Sequence, residues 1–277
     1  MTRERLSRVL ARPWLTPWIA RGLRARLVDQ SLRFFIRDTR GHGTYAYTIR
    51  GSGVRVVAEH GTPDVLTLDQ VWYGRVFEPP AEVAGLLAEL ERHEPVVLDL
   101  GANVGMFGAW VRERFRSARI TAYEPDERNA ALHRRLIELN GGDGDWTLIE
   151  AAAGTHDGSV AFAAGDFTTS HVATAGTAGT REVPVHDVLD AIRDADLAKI
   201  DIEGAEWEIL ADPRFRIRPG ALLILEYHRR NAPAGDPEQA AREALARVGM
   251  EVVRTFVEPG EGGTLWAWHP SPQPSTG

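Results

Sequence analysis

The 277-residue chain contains no cysteine. Disulfides, thiolate metal sites and a cysteine nucleophile are thereby excluded, and the absence suits a reducing compartment, so a cytoplasmic location is expected. Long hydrophobic runs are missing too. No stretch approaches the ~20 apolar residues that cross a bilayer, and the first residues lack the unbroken apolar core of a secretory signal, so no transmembrane segment is expected. Positive charge is concentrated at the N terminus. The net charge is −7, yet residues 1–28 hold seven arginines against the one acid Glu4, a local +6 that leaves −13 for the remainder. With that acidic bulk, no zinc-ligand spacing and no aromatic RNA-binding strand, no nucleic-acid partner is expected.

What is present divides the chain. Residues 1–30 form a basic, amphipathic stretch with Trp14 and Trp18 beside Pro13 and Pro17. Such a stretch suits a lipid interface, but it reads better as a helical arm packed on its own domain or on a second subunit in a homo-oligomer. Residues 31–60 alternate apolar and polar positions between glycine pairs, which predicts strands joined by turns and makes 31–78 a β-rich extension. From residue 96 onward, within a domain expected over 79–270, the rhythm changes. Short apolar runs at 96–100, 119–123, 146–151, 197–202 and 221–227 are separated by helical segments at 105–116, 126–139, 203–210 and 236–248. Strands that are apolar throughout are covered on both faces, so the alternation predicts a parallel α/β sheet. Two further strands, near 250–256 and 264–269, permit an antiparallel pair at one edge. The segment 164–180 reads as a loop over the site, and residues 271–277 as a frayed tail.

In such a sheet ligands lie beyond the carboxyl ends of the strands. The stretch 96-VVLDLGANVG-105 ends its strand there with Asp99, Gly101, Asn103 and Gly105. Glu124 ends the next strand about 20 residues on, where a carboxylate can accept both hydroxyls of a ribose. A dinucleotide site wants GxGxxG, so that pyrophosphate can lie on the helix start; this spacing disfavours NAD. An acid in the loop suits a ligand that carries an ammonium group, and S-adenosylmethionine has an ammonium, a carboxylate and a ribose.

From about Val96 to His269 the chain resembles the class I S-adenosylmethionine-dependent methyltransferases, and more narrowly the FkbM family. The resemblance is carried by 96-VVLDLGANVG-105, 123-YEP-125, 182-EVPVHDVLD-190, 199-KIDIEGAEWEIL-210 and 223-LILEYH-228, in that order. It implies a Rossmann-like seven-stranded, mostly parallel sheet with the last strand antiparallel, and methyl transfer, most often to a hydroxyl of a natural product or sugar. The stretch from Asp99 to Gly105 would then hold the methionine end, Glu124 the ribose, and Ala152 would flank the adenine.

The chemistry is expected in 199–210 and 223–228. Transfer to an alcohol needs a group that aligns the hydroxyl and takes its proton. Asp201 and His228 are the candidate bases, with Glu226 orienting and Glu203 touching the acceptor; Glu203 and Glu206 also fall in a first helical turn, where acids favour the macrodipole. His171 and Trp72 are further acceptor-side candidates. The same Asp201, Glu203, Glu226 and His228 would also ligate a divalent ion, although alternation along the strand works against a full cluster. The other reading of the chain is a domain that binds S-adenosylmethionine without turnover, or an N-methyltransferase.

Overall fold

The computed structural model describes residues 16–142, 144–163, 171–172, 180–258 and 262–270. The first half of the basic arm, most of the expected loop at 164–180 and the tail lie outside the described residues. The N-terminal part comprises α1 (Thr16–Ala25), α2 (Ser31–Arg40), a hairpin of β1 (Thr44–Thr48) and β2 (Arg55–Glu59), and α3 (Asp64–Trp72). Strands are therefore the wrong expectation for residues 31–40. Phe34 and Asp38, one helical turn apart, face inward and are buried, while Leu32 and Ile36 stay exposed on the other side. Apolar residues on two faces of a helix imitate strand alternation. Gly41 ends the helix in a left-handed conformation, its N–H donating to the Arg37 carbonyl.

A buried polar chain fastens these pieces together. The Tyr47 hydroxyl meets His60 Nε2 at 2.7 Å, His60 Nδ1 meets Asp38 at 3.3 Å, and Arg24 of α1 donates to Asp38 at 3.2 Å. Phe34, Tyr47, Val56 and Leu68 pack in one hydrophobic cluster with Val97, Val104 and Ile120 of the following domain. The extension thus shares its core with the sheet; each fully buried side chain of this size contributes roughly 1.5–3 kcal/mol.

After α4 (Ala81–Leu90) come β3 (Val96–Leu100), α5 (Met106–Arg114), β4 (Arg119–Tyr123), α6 (Glu127–Leu139) and β5 (Trp146–Ile149). A small sheet follows, built from β6 (Ala152–Gly154), β7 (Gly158–Ala163), β8 (His171–Val172) and β9 (Thr180–Asp187). Then come α7 (Leu189–Asp194), β10 (Leu197–Ile200), α8 (Glu206–Ala211), β11 (Leu222–His228), α9 (Pro237–Arg247), β12 (Glu251–Glu258) and β13 (Gly262–Trp268). The main sheet has seven strands in the order β12-β13-β11-β10-β3-β4-β5, with β13 antiparallel to both neighbours. Its direction of winding reverses between β3 and β10, so the loops after these strands flank the crevice where such sheets bind ligands.

Candidate active site

The loop after β3 is shaped by its neighbours across the crevice. Gly101 has φ +78°, and a Cβ there would lie 1.7 Å from the carbonyl oxygen of Asp201. Only glycine lets the two strand ends run this close. The N–H groups of Gly101 and Ala102 donate to the Tyr123 carbonyl, and that of Asn103 donates to Glu124 Oε2 at 2.7 Å. Glu124 Oε1 accepts the Asp126 N–H at 2.8 Å. Glu124 therefore braces the turn, and burial pushes its carboxyl up to about 7. Each of its oxygens keeps a lone pair for a ribose hydroxyl. Gly105 starts α5 without a side-chain cap, so first-turn N–H groups remain for the carboxylate of a bound amino acid. The turn fits the methionine and ribose parts of S-adenosylmethionine.

Asp99 itself is fully buried and does not face the open side of the turn. It is the register partner of Lys199 on β10, whose Nζ lies 3.4 Å from Asp99 Oδ1, 3.1 Å from Asp201 Oδ2 and 3.1 Å from the Gly101 carbonyl. Burial works against a charge on Lys199, but Asp201, Asp99 and Glu226 hold it protonated, above its ordinary value. One ammonium thus ties the glycine turn to the acids after β10.

Those acids meet a histidine. Parallel pairing aligns Ile200 with Leu225, so Asp201 and Glu226 follow side by side, and His228 lies one pleat further on the same face as Glu226. His228 Nε2 stands 3.8 Å from Asp201 Oδ1, 3.9 Å from Glu203 Oε2 and 3.9 Å from Glu226 Oε1. Glu206, fully buried, accepts the His228 ring Nδ1 at 3.1 Å and its backbone N–H at 2.8 Å through Oε1, and the Gly204 N–H at 2.7 Å through Oε2. Burial opposes a charge on the imidazole, but the Glu206 hydrogen bond and the surrounding carboxylates push its pKa up to about 9. Burial pushes Glu203 up to about 7, while Asp201 and burial push Glu226 up to about 8.

The structure brings together Asp201, Glu203, Glu226 and His228, and strand alternation assists rather than prevents it, since Tyr227 alone turns into the core. Other candidates lie elsewhere. Trp72 donates its indole N–H to Glu113 in the last turn of α5, the end remote from Gly105, so it packs α3 on α5 rather than lining the site. The indole N–H of Trp207 donates to the His228 and Arg230 carbonyls and so fastens α8 to the end of β11. The Ala152 side chain faces a satellite core with Phe162, Val183 and Val185, which leaves the adenine contact to other groups. His171 pairs through its backbone with Ala163 in the small sheet. Two buried groups escaped the sequence reasoning. Glu206 carries in the sequence only the signal of a helix-terminal acid, and His133 of α6 carries none, since its contact with Gly105 exists only after folding.

A seven-stranded sheet of this strand order, with β13 antiparallel between β11 and β12 and a glycine turn after β3, is that of the class I methyltransferases. The family profile described as "Methyltransferase FkbM domain" matches residues 99–252, more than half of the chain, and the protein belongs to that family. No curated protein matches the sequence. Among solved structures, the chain is similar to precorrin-6y C5,15-methyltransferase from Geobacter metallireducens (20% identity, 68% of this chain and 87% of that one, TM-score 0.39). It is also similar to an O-methyltransferase from Bacillus cereus in complex with SAH (15%, 69% and 81%, 0.37) and to Aeropyrum pernix fibrillarin with bound S-adenosyl-L-methionine (13%, 81% and 94%, 0.41).

Proposed function

We propose that this methyltransferase moves the methyl group of S-adenosylmethionine to a hydroxyl oxygen of a small natural product or sugar. The observation that carries the reading is the cluster of Asp201, Glu203, Glu226 and His228 beside the cofactor turn, joined to it through Lys199. Sulfonium carbon needs no activation, so the protein's task is to align the acceptor and remove its proton. Several carboxylates around one opening suit an acceptor with more than one hydroxyl. In the step itself the acceptor oxygen forms a bond to the methyl carbon as the carbon–sulfur bond breaks. S-adenosylhomocysteine leaves, and the hydroxyl proton passes to a carboxylate. Glu226, whose Oε1 lies 3.9 Å from His228 Nε2 on the same opening, takes the proton in its carboxylate form. His228, its Nδ1 committed to Glu206, positions the acceptor instead.

The test is calorimetric titration with S-adenosylmethionine, S-adenosylhomocysteine and NAD, followed by a methyl-transfer assay on a panel of hydroxylated and amino acceptors. Saturable binding of the two sulfur ligands alone and methylation of a hydroxyl are expected. Glu226→Gln should keep cofactor affinity and lose at least tenfold in turnover. Failure of both sulfur ligands to bind overturns the reading, and methylation of amines alone reassigns the acceptor atom.

A further inference from the structure

We infer that Asp201, Glu203 and His228 hold a divalent cation, manganese(II) by the chemistry of the donors, with Glu206 orienting the imidazole. The inference rests on the methyl-transfer reading for what the ion does, but not for its being held.

Among the described residues these three side chains each offer a ligand atom, all within 4.8 Å of one another. Cations bound at ~2.0–2.4 Å hold neighbouring donors ~3–4.5 Å apart. The 3.8 and 3.9 Å that separate His228 Nε2 from Asp201 Oδ1 and Glu203 Oε2 are too long for hydrogen bonds and right for donors that share an ion. The imidazole is also oriented as a ligand. Its Nδ1 lies 3.1 Å from a fully buried carboxylate, Glu206, so a proton stays on Nδ1 and Nε2 is turned toward the acids. Metal-bound histidines are almost always held this way. A cation at this point takes the place of the Nε2 proton that the carboxylates otherwise hold.

The backbone presents the third ligand at some cost. Glu203 has φ +54°, a conformation unusual for a side-chain-bearing residue, and is followed by Gly204 at φ +101°, where a Cβ would press on Arg230 at 2.9 Å. This bend turns Glu203 toward Asp201 and His228. Lys199 occupies Asp201 Oδ2, leaving Oδ1 as a single donor. One imidazole nitrogen and two carboxylate oxygens, with no thiolate anywhere in the chain, favour manganese(II) over magnesium, which prefers oxygen alone. The remaining coordination positions are free for the acceptor hydroxyl, whose proton a bound cation makes easier to lose, and Glu226 takes it.

The test uses the full chain, freed of metal by chelator and dialysis, saturated with S-adenosylhomocysteine and titrated with MnCl2. Free manganese is read by electron paramagnetic resonance, with MgCl2 and ZnCl2 in parallel calorimetric titrations. One manganese per chain is expected, with binding lost in His228→Ala and Glu203→Gln and weakened about 10–100-fold in Glu206→Gln. Circular dichroism and S-adenosylhomocysteine affinity in the same variants show that the fold persists. No saturable binding of manganese, magnesium or zinc, or wild-type manganese affinity in folded His228→Ala, overturns the inference. A chain that binds manganese but not S-adenosylhomocysteine would keep this site and lose the methyl-transfer reading; the reverse would remove the metal alone.

Discussion

Glu206 and His228, 22 positions apart, are joined twice through one carboxylate oxygen: the ring Nδ1 lies 3.1 Å from Glu206 Oε1 and the His228 backbone N–H 2.8 Å from it. The other oxygen takes the Gly204 N–H. A single buried side chain therefore sets the loop that presents Glu203 against the strand end that presents His228. Glu206→Ala removes the acceptor of all three and leaves the imidazole among unbalanced carboxylates. A loss of about 3–5 kcal/mol in stability is expected, measured by urea denaturation. Wild-type stability would mean that the cluster assembles without it.

Gly101 lies against the acid loop, where a Cβ would stand 1.7 Å from the Asp201 carbonyl oxygen. Gly101→Ala forces a Cβ against the Asp201 carbonyl and a residue other than glycine to φ +78°. The backbone conformation alone costs ~1–2 kcal/mol. Affinity for S-adenosylhomocysteine should fall more than tenfold by calorimetry, and unchanged affinity would separate the turn from cofactor binding.

His133 lies wholly inside the protein between Gly105 and Trp146, and burial pushes its pKa down to about 3. The unfolded chain protonates this imidazole near pH 6.5, the folded chain only near 3. Its contribution is therefore fully present above pH 6.5 and is lost as pH falls through that window, by about 2 kcal/mol between pH 7 and 5. Denaturant titrations at both pH values should show the drop smaller by that amount in His133→Leu. An identical drop in both proteins would assign the acid sensitivity to other groups.

Trp72 serves packing, not the acceptor. Trp72→Phe deletes its hydrogen bond to Glu113 and should cost about 1 kcal/mol in stability while leaving kcat and KM for the methyl acceptor unchanged. A raised KM would return Trp72 to the acceptor pocket.

The sequence by itself determined the class of sheet, because buried parallel strands must be apolar along their whole length and the helices between them must repeat every three to four residues. It also placed Asp201, Glu226 and His228 at strand ends, since a polar residue that ends an apolar run falls at the ligand side of such a sheet, whereas Glu203, read into a helical turn, lies in the turn before a helix that starts only at Glu206. Local pattern failed at residues 31–40, where apolar side chains on both faces of a helix copied the period of a strand. Only the tertiary structure decided which of these acids work together. The registers of β10 with β3 and β11 bring Lys199 to Asp99, 100 positions away, and fold Glu206 beneath His228. Those contacts depend on strand order and register, which are set by the whole core and not written in any short stretch of chain.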